Sequence, residues 1–127
     1  MTRSHVAVWC VVAVLGSLTA SRSLAAHHGT LVSYDRDKAW TAKAVVTEFR
    51  YVNPHAQIYF DVKPASGEVQ HWVVATEPAG VMLERGWTRR SLAAGDAVTA
   101  YVFAAKNGAT VGNLDRIVKA DGTELKR

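Results

Sequence analysis

The residues with the most chemistry to offer are two adjacent histidines, His27 and His28, which follow a short run of small residues. Imidazoles, a free terminal amine and the backbone nitrogens between them are all ligands for a borderline metal ion, and divalent affinity at nitrogen sites peaks at Cu²⁺. If the mature chain begins at Ala26, His28 is its third residue, and amine, two deprotonated amides and imidazole form a square-planar chelate. If it begins at His27, amine and ring clamp copper as a brace and a third nitrogen has to come from elsewhere. His55 is the candidate for that third ligand. Copper is therefore the one cofactor these residues suggest; the alternative is a solvated chain end that holds no metal.

Asn53-Pro54-His55 is the second place where polar groups gather. Proline removes a ladder donor and forces its predecessor into extended or turn geometry. His55 then sits where a loop meets a strand, at a barrel rim on which side chains converge. Asn53 and His55 are accordingly candidate ligand-binding residues, for a small ligand, a peptide or an envelope protein. The alternative for His55 is a ring that hydrogen-bonds and stiffens the turn backbone. His71 belongs elsewhere. The hairpin that contains it puts Phe60 or Asp61 opposite, which leaves His55 five or six residues along the ladder, roughly 16 to 20 Å away. The two rings cannot share a metal ion, and His71 reads as an exposed or core-satisfied strand residue.

Catalytic groupings are missing. There is no glycine-rich phosphate loop, no Gly-x-Ser-x-Gly, no His-Glu-x-x-His, and the acids Asp35, Asp37, Glu48, Asp61, Glu77 and Glu84 have no spacing that selects a pair. The chain is expected not to be an enzyme. Aromatic residues could form a stacking platform for bases, but a basic groove should accompany them, and Arg85, Arg89 and Arg90 are the only local cationic cluster. Nucleic acid is not an expected partner.

The elements that must position these residues begin after a targeting segment. Arg3, the apolar stretch at residues 6–15 and the small residues from Gly16 to Ala26 follow the order of a secretory signal peptide. At ten residues the stretch is too short to span a bilayer, which takes about 20, so no membrane insertion is expected after cleavage. Ser23 and Ala25 favour a cut before Ala26, and Leu24 and Ala26 fit a cut before His27 less well. We read residues 1–26 as signal peptide and 27–127 as one domain in the periplasm or outside the cell. Removing residues 1–26 from the 127-residue chain leaves 101 residues, discards Arg3 and Arg22 and lowers the net charge from +4 to +2. Cys10 goes with the leader, so the mature domain holds together without a disulfide.

Residues 40–51 alternate with apolar side chains on both parities, as in a long bent strand that changes partners. Residues 56–63 alternate more cleanly, Pro64 to Gly67 form a turn, and residues 69–76 return as the second strand of a hairpin. Pro78 and Gly86 bracket a helix of about two turns. Residues 97–105 and 114–120 are the last two strands, separated by Asn107-Gly108, and Asp121-Gly122 folds the tail back. The fold class is mainly β: a small five-stranded antiparallel barrel of the oligonucleotide/oligosaccharide-binding (OB) type with one short helix between strands 3 and 4. A small open antiparallel sandwich is the second choice.

Ala26-His27-His28, Asn53-Pro54-His55, Trp72, Arg85-Gly86-Trp87-Thr88, Leu92 and Gly95-Asp96 resemble, in this order, the pattern of a bacterial family of secreted proteins of unknown function. Gly29 stands where that family carries serine, and Ala75 where a glutamate is expected. The resemblance implies export and a shared barrel; it implies no activity.

Overall fold

Alternation along each strand decides which side chains turn inward. The structure is a computed structural model that describes residues 32–127. Its strands are β1 (Trp40–Arg50), β2 (Gln57–Val62), β3 (Gln70–Ala75), β4 (Ala97–Ala104), β5 (Val111–Lys119) and β6 (Glu124–Lys126), with a helix, α1 (Ala79–Glu84), between β3 and β4. Ile58, Phe60 and Val62 of β2, Trp72 and Val74 of β3, and Val98, Ala100 and Val102 of β4 are buried at every second position, as a pleated sheet with one face on the core requires.

β1 does change partners. Its first half pairs antiparallel with β4, from Trp40↔Val102 to Val45↔Ala97, and its second half with β2, from Val45↔Asp61 to Arg50↔Gln57. A bulge between Val46 and Glu48 shifts the register. Ala44 and Val46 pack into the core before it and Phe49 against the core after it, which explains the apolar residues on both parities. β5 has a similar irregularity opposite Tyr101 and Val102, so Leu114 and Ile117 are both buried although three positions apart.

The sheet order is β3-β2-β1-β4-β5-β6, and β3 also pairs with β5, from Val73↔Val111 to Ala75↔Asn113, which closes a five-strand barrel. The closing pair is parallel and the others are antiparallel. An odd number of strands cannot alternate direction all the way round a closed barrel, so the expected OB-like barrel is mixed rather than antiparallel throughout. Gly112 sits at the closure, paired to Ala104 on one side and Val74 on the other. A Cβ there would collide with Val102 Cγ1 and stand 2.8 Å from the Phe103 carbonyl oxygen, so the close approach of β5 to β4 requires glycine.

α1 ends as its sequence predicts. Gly86 adopts φ 86°, its N–H donates to the Leu83 carbonyl, and the Trp87 N–H donates to the Met82 carbonyl. This is the Schellman pattern, with Met82 and Trp87 as its hydrophobic partners, and both are fully buried. The Trp87 indole N–H donates to the Lys126 carbonyl at 2.7 Å, so its one polar atom is satisfied by β6. Trp72 stacks on Trp40 with ring centroids 4.2 Å apart and lies nearly parallel to Phe60. Among the described residues no helix is long and apolar enough to cross a membrane.

Candidate functional site

The loop from β1 to β2 is sewn to the segment that follows β3. Tyr51 Oη donates to the Ala79 carbonyl at 2.6 Å and lies 3.3 Å from the Trp87 carbonyl. Asn53 Oδ1 accepts the Ala79 N–H at 3.1 Å, and the backbone bonds Ala56 N to Glu77 O and Thr76 N to Ala56 O complete the join. His55 Nδ1 lies 3.0 Å from the Thr76 carbonyl. A carbonyl only accepts, so Nδ1 carries the proton, and in the neutral ring Nε2 holds the lone pair. Sequence reasoning placed Asn53 and His55 at a barrel rim; in the structure both side chains bond the segment that follows β3, Asn53 at Ala79 and His55 at Thr76. Asn53, however, spends its oxygen on the helix, which leaves His55 as the residue of the pair with a ring nitrogen to offer.

His27 and His28 lie outside the described residues. Among the described residues no three His, Cys, Asp or Glu side chains come close enough to hold a metal ion. His71 pairs directly with Asp61 across the hairpin, one of the two registers expected, and its Nδ1 lies 2.6 Å from Asp61 Oδ1. Its side chain is 80% exposed. With Gln57 opposite Ala75, the register puts His55 about six residues from His71, or roughly 20 Å. These two histidines therefore belong to separate places.

The aromatic residues are accounted for by packing. Trp40, Trp72, Phe60, Phe49 and Trp87 lie in or against the core, and the outward Tyr59 and Tyr101 are covered by the guanidinium groups of Arg50 and Arg116 at 4.8 and 3.8 Å from their ring centres. Glu48 holds Arg50 at 2.7 Å and raises its pKa.

Sequence reasoning missed a groove. Val45 pairs with both Asp61 and Ala97, but on its amino-terminal side β1 stays with β4 while β2 runs on without it. The fork leaves a concavity of about 700 Å³ over residues 43–45, between the ends of β2 and β5. Its apolar wall includes Val45 and Val69, which are 47% and 46% exposed. Lys43, Lys63 and Lys119 line it, and Asp61 is its one acidic residue. Lys119 is tethered, its Nζ donating to the Ser91 carbonyl at 3.1 Å. The signal available in the sequence was Val45, on the outward parity of β1, and Val69, just before β3.

Residues 14–114 match the Family of unknown function (DUF6152), a span that takes in His27, His28, the Asn53 to His55 loop and β1 to β4. No curated protein and no solved structure matches the chain significantly. Matched over most of its length, this small β-barrel protein belongs to the DUF6152 family, whose function is unknown.

Proposed function

We propose that this is an exported binding protein without catalytic activity, and that it takes a copper ion at its processed amino terminus with His55 as the barrel's ligand. The observation that carries the reading is the 3.0 Å bond from His55 Nδ1 to the Thr76 carbonyl. A ring held in this way has a fixed orientation and, in its neutral form, carries its proton on Nδ1 and its lone pair on Nε2, which is how protein scaffolds present histidine to a metal ion. The leader-like order of residues 1–26 supports processing that frees an amine beside His27 and His28. Those nitrogens suit tetragonal copper better than tetrahedral zinc.

The test uses protein recovered from the periplasm. Intact mass is expected to give a chain of 101 or 102 residues, beginning at His27 or Ala26. Calorimetric titration is expected to give Cu²⁺ binding tighter than micromolar and weaker Zn²⁺ binding. Replacing His28 hurts most if Ala26 is first, and replacing His27 hurts most if His27 is first. Loss of affinity in His55→Ala establishes an assembled site; unchanged affinity reduces the site to a tail chelate and overturns the role of His55. Equal copper binding after both His27 and His28 become alanine overturns the reading altogether.

A further inference from the structure

We propose that the groove in the fork of β1 is a binding site for a small amphiphilic anion, a carboxylate or phosphate head on a short apolar body. This site is separate from the copper reading and uses none of its residues. A volume of about 700 Å³ lies within the range of small-molecule sites. Val45 and Val69 are large aliphatic side chains left about half exposed in one concavity, not scattered singly over the surface. Neither has a partner among the described residues that covers the exposed half, so an apolar body would be drawn there by burial alone.

The charge around the groove is net positive. Lys43 and Lys63 stand at its edge and are exposed, and Lys119 adds a third ammonium that spends one of its three donors on Ser91. The single acid, Asp61, has one oxygen bonded to His71 at 2.6 Å, and it is outnumbered three to one by the lysines. An anionic head therefore meets three ammonium groups, whereas a cationic head meets three like charges against one carboxylate. Lys43 and Val45 lie on β1, whose register is fixed on both sides of Val45, and Lys63 and Val69 flank the hairpin turn between the paired strands β2 and β3, so the groove exists before the ligand arrives.

Decanoate, decyl phosphate, decylamine and inorganic phosphate, each below its aggregation limit, are the probes. Titration of the ¹⁵N-labelled chain is expected to shift amide signals of residues 43–45, 61–69, 97–99 and 118–120 with decanoate or decyl phosphate, and the tighter of the two identifies the head. Decylamine and inorganic phosphate are expected to leave those signals in place. Lys43→Gln with Lys63→Gln should weaken the anion by about tenfold or more, as loss of charge-assisted contacts does. Both lysines are exposed, so an unchanged melting temperature verifies that the fold is intact. The proposal is overturned if decylamine binds as well as decanoate, if the double lysine variant binds undiminished, or if neither anion shifts these residues.

Discussion

Asn53 gives α1 the cap that Pro78, the residue at the helix amino terminus, has no side chain to supply. Its Oδ1 accepts the Ala79 amide at 3.1 Å from 26 positions away in the chain. One side chain thus satisfies a helix end and fixes the β1 to β2 loop against the segment after β3, with Tyr51 and His55 bonded on either side.

Replacing Asn53 with alanine should therefore cost about 1 kcal/mol of stability, the usual cost of losing a cap. Asn53→Asp keeps an acceptor at a helix amino terminus and should recover most of it. Urea denaturation of the two variants checks both outcomes; equal stability of wild type and Asn53→Ala would show the bond contributes nothing.

Trp72 is 7% exposed and lies between Trp40 and Phe60. Trp72→Ala should destabilise by roughly 3 to 5 kcal/mol, the range for emptying a large aromatic site in a core. A melting temperature within a degree or two of wild type would mean that the ring is not part of the core.

Two glycines separate steric need from backbone entropy. At Gly112 a methyl group would strike Val102 and the Phe103 backbone, so Gly112→Ala should cost on the order of 1 to 3 kcal/mol or more. Gly80, in α1, has open space around its missing Cβ and no positive φ. Gly80→Ala should stabilise by about 0.5 to 1 kcal/mol, because alanine loses less backbone freedom in a helix. Denaturation midpoints of the two variants should move in opposite directions.

The turn from β5 to β6 carries an acid-sensitive contribution. Asp121 Oδ1 accepts the Thr123 N–H at 2.8 Å, and that bond holds the carboxyl below its ordinary value of 3.8. A depressed folded-state pKa stabilises the chain above the unfolded value, and the contribution is lost as pH falls through the folded value. The stability gap between wild type and Asp121→Asn should be constant above about pH 5 and shrink below about pH 4. A gap independent of pH down to that range would show that the carboxylate charge plays no part.

Much of the barrel is legible in the chain, because its signals are local. Ile58, Phe60 and Val62 alternate with Gln57, Tyr59 and Asp61, and only an extended strand with one buried face puts them on opposite sides. The short turn at Pro64 to Gly67 ties the register, so Asp61 lands beside His71 as one of the two positions expected. Pro78 and Gly86 mark the ends of α1 because one residue fixes φ near a helical value and the other adopts the positive φ of a helix stop. Other features were decided only by tertiary structure. Nothing near Asn53 in the chain says that its oxygen will meet Ala79, and nothing near His55 names Thr76, since these contacts form only when β1, β2 and β3 have paired. Lys43 and Lys119 come from β1 and β5 and Lys63 from the connection that follows β2, and they line one groove because Val45 is the point at which β1 exchanges β4 for β2. Pattern along a strand reports which face is buried; where two distant faces meet depends on bulge, shear and closure, which are properties of the whole barrel.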